Sequence, residues 1–381
     1  MSRAHALLSA SAAHRWIPCP PSAKLQEKYE DKGSEYAAQG TDAHTLAEWK
    51  VRSRLGDIQP DPRPDLTYFD QEMEDATDQY ADYVAETVAE AKKICPDPCV
   101  MVEQRVDFSR WVPDAFGTAD AIVAGNGRLW ITDLKYGTGV EVLAENNAQA
   151  SCYALGCLEL LDDLYNIDTV TIQIFQPRRG NVSEWTVSKA DLLEWADKTL
   201  RPAARLAAAG KGKFCPGDHC RFCKARHECR ARADQQMRLM RYDFELPPTL
   251  TDEEIEDILG QVDHLVSWAE DIKAFALESA IGGKHWAGYK LVEGRSVRRY
   301  IDEDAVAKAV QADGKDPYER KLLGITAMTQ LLGRKHFDEV LGGLVEKPRG
   351  KATLVPESDK RPAMDFSDFN DDEEKEIDHY E

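Results

Sequence analysis

The chain has 381 residues, 43% of them hydrophobic, and a formal net charge of −20, which is room for two or three domains and a sizeable core. No apolar run approaches the ~20 residues of a membrane helix, and the N-terminus offers neither a long apolar segment nor a clear cleavage site, so membrane and secreted classes are not expected. Nine cysteines without a secretion signal favour reduced thiols and metal ligation over a disulfide framework, and so a cytoplasmic protein. The acidic sum does not exclude nucleic acid, because the charge is uneven. Residues 365–381 carry nine Asp/Glu against one Lys, whereas residues 201–241 carry eleven Lys/Arg against three Asp/Glu. A basic surface on an acidic protein still tracks phosphates.

In chain order, SASAAHRWIPCPPSAKL reads as a short helix stopped by Pro18, Pro20 and Pro21, with Cys19 in the turn. In QGTDAHTLAEWKVRSRLG, Thr41 or Asp42 is suited to cap a helix that carries His44 and Glu48 on one face. Residues 56–67, with three prolines, read as a loop, and residues 68–93 as a helix with Tyr80, Val84 and Val88 on its apolar stripe. Cys95-Pro-Asp-Pro-Cys99 reads as a helix-to-strand connection, and VMVEQRVDF, which contains Glu103, as a strand.

Two alternating apolar runs then flank Gly125-Asn126-Gly127, the signature of a tight hairpin. A turn centred on Asn126 sets position 120 opposite position 132 and brings Asp120 close to Asp133. Strand alternation points Asp133 and Lys135 one way and Leu134 into the core. Two carboxylates and an ammonium on one face suit Mg²⁺ or Mn²⁺ and a phosphate group. The helix expected over residues 145–161 carries Gln149 and Tyr153 one turn apart, with Leu155, Leu158 and Leu161 facing the core. Strands over 169–176 and 182–187 complete an α/β core with a mixed sheet.

The block FCPGDHCRFCKARHECRAR holds Cys220, Cys223 and Cys229 in the spacing C-x₂-C-x₅-C. Three thiolates need a fourth ligand, and Cys19, Cys215, His219 and His227 are the candidates. A tetrahedral zinc site using a histidine is one reading. Beyond it, Thr251 to Glu254 forms a capping box. Ile255, Ile258, Val262, Leu265, Ala269, Ile272 and Ala276 follow a heptad pattern, which fits a helix docked on its own domain before a partner-binding coiled coil. Residues 289–300 read as a small hairpin, 302–344 as short helices, and 351–381 as an acidic tail that cannot bury enough apolar surface to order.

Gly117, Asp120, Asp133 and Lys135, preceded by Gly40-Thr41, His44 and Glu48 and followed by Gln149 and Tyr153, resemble the motifs of the PD-(D/E)XK superfamily in its RecB-like branch. The resemblance covers the chain to about residue 240 and implies three regions. They are a restriction-endonuclease-like nuclease domain over 1–240, a mainly helical region over 245–350, and the tail over 351–381. It implies a DNA exonuclease that leaves 5′-phosphate and 3′-hydroxyl ends, with a non-catalytic DNA-binding scaffold or an endonuclease as the rivals. His44, Asp120, Asp133 and the main-chain carbonyl of Leu134 would hold Mg²⁺ or Mn²⁺. Lys135 would assist hydrolysis, while Gln149 and Tyr153 shape the site and Glu48 supports it. Glu103 resembles an acidic residue that some family members place near the metals. One cysteine before the core and three after it resemble the iron–sulfur members, the AddB nuclease and a CRISPR-associated exonuclease family. That implies a structural 4Fe-4S cluster on Cys19, Cys220, Cys223 and Cys229, with zinc as the alternative. The layout also resembles an uncharacterised nuclease-related family encoded by bacteriophages, which implies host-cell cytosol and a role in phage recombination or replication. The partners implied are DNA, a phage single-strand-binding or annealing protein, and a second copy of the chain.

Overall fold

A computed structural model describes residues 7–29, 33–238, 250–293, 301–318 and 322–346, with a few isolated positions beyond. The acidic tail lies outside the described residues, as does most of the expected hairpin over 289–300. Contacts divide the chain into two units, Met1–Glu278 and Ser279–Glu381. Among its described residues the second contains the α-helices α11 (Glu303–Ala312), α12 (Ile325–Leu332) and α13 (Arg334–Leu341).

The first unit is built on five strands in the order of the chain: β1 (Cys99–Asp107), β2 (Phe116–Gly125), β3 (Arg128–Leu134), β4 (Thr169–Gln176) and β5 (Asn181–Ser188). Only β3 and β4 are parallel, and α5 (Ala148–Tyr165) makes the crossover between them, so the sheet is mixed. Its two faces bury different helices. On one side Ile122, Leu129, Ile131 and Ile172 pack with Leu155 and Leu158 of α5. The short helices α1 (Ala13–Trp16), α2 (Pro21–Leu25), α6 (Lys189–Trp195) and α7 (Arg201–Ala209) extend that layer. On the other side Val102, Ala121, Leu134 and Phe175 pack under α3 (Glu35–Arg54) and α4 (Gln71–Ile94). The result is an α/β/α sandwich with its apolar core in two sheets of side chains.

Several local expectations shift. Ser34, not Thr41 or Asp42, caps α3, its hydroxyl accepting from Ala37 N at 3.1 Å. Helix continues two turns further back because the stretch Glu35 to Gly40 lacks proline, and Thr41 is taken up by donating to Ala37 O. Pro20 and Pro21 do not only stop a helix. They start α2, where a missing N–H costs nothing. Asp70 caps α4 and Asn147 caps α5, each moving the start a few residues on. The hairpin turn is Asn126-Gly127 rather than a turn centred on Asn126, since Gly125 pairs with Arg128 and Ala121 with Thr132. Continued by one residue, that register sets Asp120 level with Asp133 rather than with Thr132.

The helix α8 (Arg230–Met237) follows the cysteine block, and α9 (Asp252–Leu259) and α10 (Val262–Ile281) follow it in turn. Asp271 of α10 accepts from Arg226 at 2.7 Å and Arg232 at 2.5 Å, and Phe275 stacks on His227 at 4.0 Å. These ties hold α10 against its own unit, as the heptad pattern leads one to expect.

Candidate metal and cysteine site

Strand alternation breaks where the carboxylates gather. Ala119 packs on the α5 side and Ala121 on the α3/α4 side, although residues two apart in an unbroken strand share a face. The change falls at Asp120. Across from it on β1, between the pairs Val102–Ala121 and Gln104–Ala119, Glu103 has φ 50. A non-glycine residue in the left-handed region is uncommon and gathers at functional sites. The local break turns Glu103 and Asp120 toward His44 on α3. The three ligand atoms lie within 4.8 Å of one another, the one such group of three His, Cys, Asp or Glu among the described residues. His44 Nδ1 is 3.5 Å from Asp120 and 3.9 Å from Glu103, and Asp120 also accepts from Leu134 N at 2.7 Å.

Glu103 is the member of this group that sequence reading valued least. Its signal was the run Glu103-Gln104-Arg105, which interrupts the apolar alternation of Val100, Val102 and Val106. Glu48 does not reach the group. It accepts from Arg52, which donates in turn to Val102 O at 2.9 Å and so pins α3 beside Glu103.

Asp133 lies on the α5 face, almost fully buried, its carboxylate 2.7 Å from Lys135 Nζ. Lys135 donates to Gln149 Oε1 at 3.0 Å, and Gln149 Nε2 donates to Tyr153 Oη at 3.0 Å. The Tyr153 ring rests on Gly117, where a Cβ would come within 2.4 Å of Cε1. Four motif residues thus form one brace: Gly117 leaves room for Tyr153, which holds Gln149, which holds Lys135. Leu134 points to the opposite face and is buried with Tyr80 and Val102.

Charge in this pocket is out of balance. Burial raises Asp120 to about 7, against the pull of His44, and Asp133 and Glu103 push it further up. Burial works against a proton on His44, but Asp120 and Glu103 outweigh it and raise its pKa to about 9. Burial likewise works against the Lys135 ammonium, and Asp133 overrides it, so Lys135 stays charged at neutral pH. Three carboxylates, Asp120, Asp133 and Glu103, thus gather against one imidazole and one ammonium, and the oxygen-rich ligand group with one nitrogen suits a divalent cation such as Mg²⁺ or Mn²⁺.

The second group gathers residues two hundred positions apart. Cys19, Cys220, Cys223 and Cys229 line one pocket enclosing about 340 Å³ of empty space, its open mouth included, together with Cys215, His219 and Arg15. The loop from Cys215 to Cys229 has little regular structure and is stitched to the N-terminal segment. Arg15 donates to Phe222 O at 3.1 Å, Lys224 N to Gln26 at 3.0 Å, and Tyr29 to Glu228 at 2.6 Å. Of the alternative ligands, His219 is engaged with Cys215 O at 2.9 Å, and His227 is stacked on Phe275 with its edge to Tyr29. Arg15 Nε is buried beside the thiols with no hydrogen-bond partner. Arg15 has no acidic partner among the described residues, and a cation lining a pocket of five thiols fits an anionic thiolate group. Among these thiols and histidines no three ligand atoms all lie within 4.8 Å of one another.

The fold and site define an α/β protein with a mixed five-stranded sheet between helices, a carboxylate–imidazole group and a separate pocket lined by five cysteines. The chain belongs to the family described as "Protein of unknown function (DUF2800)", which it matches over residues 5–362. Among solved structures it is similar to one titled "Crystal structure of SSO0001", at 13% identity and a TM-score of 0.22, over 49% of this chain and 95% of that one. A likeness of that degree carries no argument. No helix among the described residues is long and apolar enough to cross a membrane.

Proposed function

We propose that this protein is a metal-dependent DNA nuclease with a PD-(D/E)XK core, an exonuclease acting in phage recombination or replication. One observation carries the reading. The residues that match the nuclease motifs, dispersed from His44 to Tyr153, converge as a ligand group (His44, Glu103, Asp120) and an adjacent buried Asp133–Lys135 pair braced by Gln149 and Tyr153.

His44, Asp120 and Glu103, with Asp133 and the Leu134 carbonyl alongside, would hold Mg²⁺ or Mn²⁺. Bound there, the ion supplies Lewis acidity toward a phosphate oxygen and lowers the pKa of water. Lys135 remains an ammonium, so it serves to offset charge building on the phosphate rather than to take a proton. The cysteine pocket would hold a 4Fe-4S cluster on Cys19, Cys220, Cys223 and Cys229 that fastens the 215–229 loop to the N-terminal segment, with zinc as the alternative.

The test is cleavage of end-labelled linear DNA and of covalently closed circular DNA with Mn²⁺ or Mg²⁺. Linear DNA should shorten from its ends, and Asp120→Asn, which removes a charge from a crowded pocket without a change of size, should fold and not cut. Nicking of the circle would make it an endonuclease. Binding without cleavage under either metal, or wild-type cleavage by Asp120→Asn, would overturn the reading.

A further inference from the structure

The cysteine-held loop presents aromatic side chains to solvent, against the tendency of such rings to be buried. Phe214 is 44% and Phe222 48% exposed. Neither is isolated. The Phe222 ring meets the exposed His14 edge-on at 5.2 Å, and the Arg221 guanidinium lies 5.7 Å from its centre. Lys211, Lys213 and Arg221 flank the two rings, exposed and without an acidic partner among the described residues. Some neighbouring cations are neutralised, as Arg201 is by Asp197 and Arg226 by Asp271. Along this loop exposed cations instead alternate with open rings, on a chain whose net charge is −20.

The same loop adjoins the candidate active site. Helix α1, which carries His14, packs against both α5 and the turn Asp218–Phe222, and α5 carries the Gln149 that holds Lys135. Partial desolvation, then the charge of Arg15, keeps the His14 pKa below its ordinary range, and Lys135 lies near enough to contribute.

We propose that Phe222, with His14, Arg221 and Phe214, forms a stacking platform for an unpaired DNA strand, whose phosphates Lys211, Lys213 and Arg221 hold on the approach to Lys135. Flat exposed rings gain little from a duplex, whose bases are already paired and stacked, whereas every unpaired base offers a face to them. The flanking cations select a polyanion over a protein surface. The proposal rests on the nuclease reading for its direction toward Lys135, and adds to it a strand type and the residues that grip it.

The experiment is fluorescence anisotropy of labelled oligothymidylate, and separately of a blunt duplex, with the full-length protein in EDTA, so that binding is read without cleavage. Phe222→Ala should weaken oligothymidylate binding roughly 10-fold or more, the range that loss of one stacked base gives. Blunt-duplex binding should not move. Phe222→Trp should restore the affinity, and Arg221→Gln should lower the slope of affinity against salt by about one phosphate contact. Equal binding by Phe222→Ala and wild type, or an equal loss on blunt duplex, overturns the platform. The two readings fail separately. Phe222-dependent binding without cleavage under any metal leaves the platform and removes the nuclease. Metal-dependent cleavage indifferent to Phe222 does the reverse.

Discussion

Gly117 and Tyr153 lie on different elements, and neither position reads alone as chemical. Their contact is what makes them so. A methyl group on Gly117 would stand 2.4 Å from the Tyr153 ring, and the ring is buried, so it must shift rather than swing into solvent. The shift would be passed to Gln149 and on to the Lys135 ammonium through two hydrogen bonds of 3.0 Å. Gly117→Ala should therefore destabilise the protein by about 1–3 kcal/mol, the usual cost of overpacking. It should also slow DNA cleavage roughly 10- to 100-fold by misplacing Lys135. Tyr153→Ala in the same chain should recover part of the stability that Gly117→Ala loses, and this non-additivity is the check. Additive unfolding free energies across the cycle would mean that the two do not press on each other. At this scale the sequence named the participants, because Gly117, Gln149 and Tyr153 stand at motif positions. It did not name their roles. Contact between a strand glycine and a helix tyrosine depends on α5 returning over β2, which no local pattern records.

Helices α3 and α4 illustrate what an element-scale reading misses. Their apolar stripes were legible, and Tyr80 and Val84 are buried as the 3.6-residue period requires. The charged clamp between them was not, since no local spacing pairs Lys50 and Arg63 with Glu74 and Asp78. Yet Lys50 is only 3% exposed, donating to Glu74 O at 2.6 Å with its ammonium 3.0 Å from Asp78. Arg63 meets Glu74 with two hydrogen bonds, at 3.0 and 2.7 Å. Those bonds, with Lys50 and against partial burial, draw the Glu74 carboxyl down to about 2. Because the folded pKa lies below the unfolded one, the stabilisation is complete above about pH 4.5 and is lost as pH falls from there toward about 2. Allowing for solvent screening, it amounts to about 1–2 kcal/mol. Denaturant unfolding of wild type and Glu74→Gln should differ by that amount at pH 7 and converge at low pH. A gap that persists unchanged to pH 2.5 would show that the effect is packing and not charge. Since α3 carries His44, loosening this clamp should also weaken Mn²⁺ binding.

Over the whole first unit, the succession of strands and helix along the chain and the mixed sheet follow from alternating apolar runs and one long helical segment, and both were legible in the sequence, whereas the order of the strands within the sheet was not. The face change at Asp120 and Glu103 was not, because a left-handed residue inside a strand is set by the sheet around it and not by its own propensity. The joining of the chain ends lies between these cases. Spacing marked Cys220, Cys223 and Cys229 as ligands, but left the fourth open among Cys19, Cys215, His219 and His227. Tertiary structure narrows that choice, with Cys19 in the pocket and His227 occupied by stacking. The 215–229 loop has little secondary structure of its own, so the proposed cluster would supply much of its order. Protein prepared without oxygen should carry iron and show the broad visible absorbance of thiolate-bound clusters. Cys19→Ser should lose iron as completely as Cys223→Ser, despite the distance between them in sequence. Both should expose the loop to proteolysis between residues 211 and 229 while leaving the sheet protected in hydrogen exchange. His227→Ala should keep its iron, because that ring's work is against Phe275 and Tyr29. Stoichiometric zinc and no iron in the anaerobic protein would replace the cluster with a single ion. Iron retained by Cys19→Ser would mean that Cys215 or His219, which share the pocket, takes the fourth place.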